Sequence, residues 1–384
     1  MAADCVNGAR GTGTWLAFVE RARSDRTHEI GPMAFYPTRS IGSSPVVILA
    51  AMLVAGIATL AGQPAPHALP PKLAAYISEH VKLTADQQAQ LAQGKAVTQM
   101  LEADPSREVA IFGAVWIAAP VDRYLAAVKD IEKLESGGNF LVTKRISSPP
   151  RLQDFDAMTL PPDDVSDLKT CRVGSCEVKL GEAALTRLQK DIDWSAPTAT
   201  ADVERLFRSF ALEYVNGYLE GGNERLAVYR DSDRPTFVAQ EFASMIERLP
   251  PLTDFLSDLK RYLLGYPKTT LPEAESFLYW QNAKFGLKPT IRISHVTIAK
   301  QAAGALVVSK MLYASHYFWT AVELRALVPD PARGEGFWFV TVNRSRSDGL
   351  SGFTGRAIRG KVRGEAEKGM TTALGTTKAK LEAM

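Results

Sequence analysis

The sequence is short of the side chains that announce a reaction or a metal. It holds five histidines and three cysteines in 384 residues. No H-E-x-x-H, G-x-G-x-x-G or phosphate-loop pattern occurs, and GLSGF at 349–353 lacks the last glycine of a G-x-S-x-G elbow. His295 and His316 fall on neighbouring predicted strands with no acid or cysteine at ligand spacing, which makes a poor metal site. No catalytic residue, metal or cofactor is therefore expected. One-sided charge is also missing. The 45 Lys and Arg face 42 Asp and Glu, a formal net charge of +3, and the signs are interspersed. A nucleic-acid binder concentrates its bases, so no nucleic-acid partner is expected. No fixed-period repeat or low-complexity tract occurs.

Long apolar runs are nearly absent, and the exception is near the N-terminus. Residues 45–62 read PVVILAAMLVAGIATLAG, with Arg39 just upstream. The run suits the apolar region of a signal peptide and is slightly short for a membrane span of about 20 residues. Thr59 and Ala61 fit the −3 and −1 cleavage positions. An uncleaved anchor and a buried apolar helix are the alternatives. Residues 1–32 suit a leader poorly, Met33 makes a natural start, and Cys5 then falls outside the exported chain. The Pro-rich stretch 62–71 reads as a linker. The expected location is periplasmic or secreted, or the inner membrane if 45–62 is an anchor. In such a compartment Cys171 and Cys176, C-x₄-C around a glycine, read as a local structural disulfide and not as a redox or zinc motif.

The period of the apolar residues divides the rest. A helix is expected over 72–92 with Thr84 as cap. A hairpin follows over about 94–117 around a DPS turn, then a helix over 119–136 ended by Gly137 and Gly138, and a strand over 139–147. From 182 to 286 the pattern reads as a helical insertion, EAESFLYWQNAKFG included. Strands return at 290–300, at 305–328 (one bent strand or two) and at 336–347. A final helix carries Ile358, Val362, Ala366, Met370, Leu374 and Leu381 on one stripe. Gly360, Gly364, Gly369 and Gly375 interrupt it at about 0.5–1 kcal/mol each against alanine. Either the helix packs closely on a sheet, or small side chains leave room for a ligand.

VAIFGAVWIAAPVDRYLAAVKDIEKL at 109–134 and the block from Thr290 to the end together resemble the START-like, helix-grip fold. The resemblance implies an α+β domain built from 72–181 and 287–384. A curved antiparallel sheet would grip a long C-terminal helix and enclose a hydrophobic cavity for a lipid, sterol, polyketide or aromatic ligand. It carries no universal catalytic residues to transfer.

The expected lining follows from strand alternation. Leu312, Ala314, His316, Phe318, Thr320, Val322 and Leu324 fall on one face, apolar but for one histidine and one threonine. Trp338 and Val340 on the next strand and Met370 on the helix complete it, a mostly apolar site with a few polar groups. His316 either orients a polar head or is a hydrogen-bonded core histidine. Arg344, Arg346 and Asp348 either contact a head group at the mouth or pair with acids and cap the helix. The expected function is an envelope protein that binds a hydrophobic small molecule or lipid, with membrane-surface or envelope-protein contact as a further expectation. An interaction protein docking through 182–286 and a cyclase- or hydrolase-type enzyme using His316 are the alternatives.

Overall fold

The computed structural model describes residues 68–249, 256–285, 288–301 and 304–383. The run 45–62, Met33 and Cys5 lie outside the described residues. Among the described residues no helix is long and apolar enough to cross a membrane.

Helix α1 (Pro71–Tyr76) runs into a π turn and is followed by α2 (Ala85–Ala92). Thr84 caps α2 as expected: its hydroxyl accepts from the Gln87 amide at 3.2 Å, and the Gln87 side chain accepts from the Thr84 amide at 2.9 Å. Strands β1 (Val97–Met100) and β2 (Glu108–Ile117) form the hairpin, and α3 (Val121–Lys129), α4 (Ile131–Leu134) and β3 (Phe140–Ile146) follow. The middle holds α5 (Pro162–Thr170), α6 (Glu182–Asp191), α7 (Ala199–Gly221), a small ribbon of β4 (Val228–Tyr229) and β5 (Thr236–Phe237), α8 (Val238–Glu247) and α9 (Leu256–Gly265). Then come β6 (Ala274–Phe285), β7 (Lys288–Gln301), β8 (Gly304–Ala314), β9 (Phe318–Pro329), β10 (Phe337–Ser347) and α10 (Gly352–Glu382).

Eight of these strands form one open antiparallel sheet in the order β1-β2-β10-β9-β8-β7-β6-β3. The fold is thus α+β, with a long C-terminal helix on the sheet. Residues directly opposed in an antiparallel pair share a face, so the register sorts side chains by face. On the first face, Ala110, Phe112 and Trp116 of β2 and Val340, Leu324 and Leu306 beyond them join a core with α1, α2, α8 and α9. Further along, Leu278, Trp280 and Ile293 join a second core with α5, α6 and α7. On the second face, Val115, Ile117, Phe337, Phe339, Leu327 and Val307 pack with α3, α4 and the C-terminal part of α10.

The helical middle therefore blankets one face of the sheet. It stops short of the expected boundary, because 274–285 is strand β6. Phe277 and Tyr279 point to the second face while Leu278 and Trp280 point to the first, and all four are buried. A strand with two apolar faces loses the alternation that would have marked it.

The glycines of α10 also differ from expectation. A Cβ on Gly360, Gly364, Gly369 or Gly375 would meet nothing within 4 Å, so none of them brings the helix closer to the sheet. The close approach is made by the sheet. A Cβ on Gly113 of β2 would stand 3.0 Å from both Leu374 and Met370. Helix α10 follows β2 along its length: Arg359 donates to Pro105 O at 3.3 Å near one end, and Glu382 accepts from the Ala118 amide at 2.8 Å near the other.

Candidate ligand groove

The expected lining residues do not meet in one cavity. Ser315–Tyr317 form a turn between β8 and β9, with Tyr317 at φ 59°, so the two-residue period breaks at His316. The β7–β8 register also skips Leu312, and Leu312 and Tyr313 both enter the core under α7. Val322, Leu324, Trp338 and Val340 share the first face, where side chains from the helical middle and the N-terminal helices cover them. Ala314 is buried, and its amide donates to the Tyr229 hydroxyl at 3.3 Å. Phe318 is half-buried, and Thr320 donates to Met311 O at 3.1 Å. Met370 lies on the opposite side of the sheet, against Gly113.

The expected polar groups are bound internally. Arg346 bonds Glu241 at 2.6 Å and Glu108 at 3.2 Å, Arg344 pairs with Glu108, and the two guanidiniums are buried under α8. They bridge carboxylates inside the molecule and stand at no cavity mouth. Asp348 pairs with buried Lys179, which also bonds Asp231 at 2.9 Å. Burial works against the ammonium of Lys179, but the two carboxylates prevail and hold its pKa above the ordinary value. His316 has the acidic neighbour that an acid–base role needs: its Nε2 lies 2.9 Å from Asp164. Its Nδ1, however, faces Glu177 O at 3.1 Å, and both side chains are buried. Both ring nitrogens are engaged, and the group clasps the β8–β9 turn to α5 and the residues after the disulfide. Cys171 and Cys176 are bonded, as expected.

Two buried polar groups escaped the sequence reading. Lys310 of β8 reaches between Asn223, whose side-chain oxygen accepts from it, and the faces of Tyr218 and Phe242 at 4.9 and 4.3 Å. Among the described residues no carboxylate pairs with it, and burial pushes its pKa down to about 7. Beside it, the Tyr218 hydroxyl meets His295 Nδ1 at 2.9 Å, and burial depresses the histidine to about 3. Residue types alone do not reveal this pairing, because it joins α7 to two strands far away in sequence.

Among the described residues, a strip of the second face between α10 and the α3–α4 end is only partly covered. Two cross-strand rows define it. Asn343, Glu323 and Ser309 oppose one another across β10, β9 and β8, and Ser345, Ala321 and Met311 form the next row. Asn343, Glu323, Ser309, Ser345 and Ala321 are half-buried, whereas Ile111, Thr341, Arg325, Val307 and Val296 around them are buried. Glu323 is 27% exposed and holds Arg325, whose Nε donates to it at 2.9 Å. Tyr124 of α3 stands beside that pair, its pKa pushed up to about 12 by burial. Deeper, Glu135 accepts from Gln281 at 2.7 Å, Tyr279 at 3.2 Å and Arg292 at 3.3 Å.

Helix α10 walls one side. Met370 and Leu374 sit over Gly113, and Thr371 approaches Thr98 of β1 at 3.4 Å, which fixes the helix rotation. At 100° per residue, Ile358, Val362, Ala366 and Gly369 then turn toward β10. The first three are half-buried, and space is open at Gly369. The groove thus has a floor of hydroxyl, amide and paired charge and a wall of small and apolar side chains. It can hold a molecule by hydrogen bonds below and apolar contact beside. Sequence reasoning picked the other face of the same strands because that face is the more apolar one. The missed signal was the alternate set of small polar residues, Ser309, Glu323, Asn343 and Ser345.

No family model matches the chain, and no curated protein matches it.

Proposed function

We propose that the protein is an exported, START-like helix-grip carrier that holds an amphipathic, lipid-like small molecule in the groove between the sheet and α10. The single observation that supports this most is the half-buried strip Ser309–Glu323–Asn343 with Ala321 and Ser345, bordered by buried Ile111, Thr341, Arg325, Val307 and Val296. A strip that mixes apolar surface with a few convergent polar groups suits small-molecule binding. The ligand lies on the second face, and the helical middle serves as the structural cover of the first. Export rests on the apolar run 45–62, and the closed Cys171–Cys176 pair is consistent with an oxidising compartment.

The test is to express the chain from Met33 with export, purify it without detergent, and analyse a solvent extract by mass spectrometry. An amphiphile recovered near one per protein, and lost in Ala321→Trp, is the expected result. Recovery of nothing from the wild type after exposure to membrane lipid extract, with Ala321→Trp unchanged, overturns the reading.

A further inference from the structure

We infer that the ligand's head group is uncharged and rich in hydroxyls, as in a glycolipid or a polyol ester, and is not a phosphate or a carboxylate. This rests on the proposed groove and names what the groove selects.

An anionic head needs a cation that is not already committed. Arg325, the cation at the floor, is held by both oxygens of Glu323. Arg292, next along the sheet, is bonded to Glu135 and to Gln281 at 2.6 Å. Arg344 and Arg346 are on the opposite face, paired with Glu108 and Glu241. The groove side of α10 presents Ile358, Val362, Ala366 and Gly369, and half-buried Arg359 beside them is committed to Pro105 O at 3.3 Å and Leu350 O at 3.5 Å. An anion entering here gives up its water and finds a neutralised pair below, which is unfavourable.

The neutral groups point the other way. Ser309 and Ser345 each offer one donor and two acceptor sites, and Asn343 offers two donors and an acceptor. They fall in two adjacent rows on β8 and β10, with Glu323 of β9 between, so a ring or chain of hydroxyls spans them with donors and acceptors matched in both directions. Glu323 keeps acceptor capacity beyond its bonds to Arg325, since an ionised carboxylate has about four lone-pair sites. A site built to satisfy hydroxyls rejects an analogue that lacks them, because its own polar groups are then left unpaired.

Three probes share a dodecyl chain and differ in the head: dodecyl maltoside, dodecyl phosphate and dodecyltrimethylammonium. Binding of each below its micelle concentration is measured by calorimetry on the whole protein, on Asn343→Leu and on Ala321→Trp. The expected result is maltoside at least tenfold tighter than either charged probe, with the preference reduced about tenfold in Asn343→Leu and binding blocked in Ala321→Trp. Equal or tighter binding of a charged probe, still blocked by Ala321→Trp, overturns the head-group inference and leaves the groove standing. Binding that Ala321→Trp does not change overturns the groove itself.

Discussion

Replacing Lys310 by methionine should remove a pH dependence of folding that the wild type displays above neutrality. The ordinary lysine value is 10.5, and burial brings Lys310 down to about 7 in the fold. Between those values the unfolded chain holds a proton that the folded chain does not. Stability therefore rises as pH is raised from 7 toward 10.5. Below pH 7 both states are charged, and the full cost of burying the ammonium is present. A shift of that size corresponds to ~5 kcal/mol at 1.36 kcal/mol per unit. The faces of Tyr218 and Phe242 return about 1 kcal/mol each to the charged form. The expected rise between pH 7 and 9.5, before the tyrosines titrate, is thus about 2–3 kcal/mol. Urea unfolding at half-unit steps measures it. Lys310→Met, close in volume, should flatten the profile and match or exceed wild-type stability at pH 7, since Asn223 is half-buried and water can replace the lost partner. A flat wild-type profile, or a Lys310→Met profile with the wild-type slope, refutes the argument.

Glu108→Gln removes the carboxylate that pairs with Arg344 and leaves Arg346 with Glu241, and should cost about 3–5 kcal/mol in denaturant unfolding. The double change Gly360→Ala, Gly364→Ala enters open space on a helix and should stabilise by about 1–2 kcal/mol in thermal unfolding, whereas Gly113→Ala pushes on Leu374 and Met370 and should destabilise by about 1–3 kcal/mol. Replacing both Cys171 and Cys176 by serine opens a small loop and should lower stability by about 2 kcal/mol, while intact mass of the wild type shows the two missing hydrogens.

Much of the scaffold was legible because its signals are local. The Thr84 capping box, the hairpin before α3, the Pro120 start of that helix and the stripe along α10 each follow from residues a few positions apart. Strand β6 was missed because aromatic and apolar side chains fill both of its faces. The candidate groove was half legible. The strands that floor the groove were found, but their apolar side was chosen, and only the cross-strand register reveals that this side is sealed by helices from the middle of the chain. The charges of Arg344 and Arg346 were visible in the sequence. Their partners Glu108 and Glu241 lie more than a hundred residues away along the chain, and only the fold unites them.

Hydrogen–deuterium exchange of the protein with and without dodecyl maltoside tests the groove most directly. The account predicts slower exchange in 307–311, 321–325, 341–345 and 358–369, with 199–221 and 238–247 unchanged. Protection confined to the helical middle, or none at a concentration where calorimetry shows binding, contradicts it.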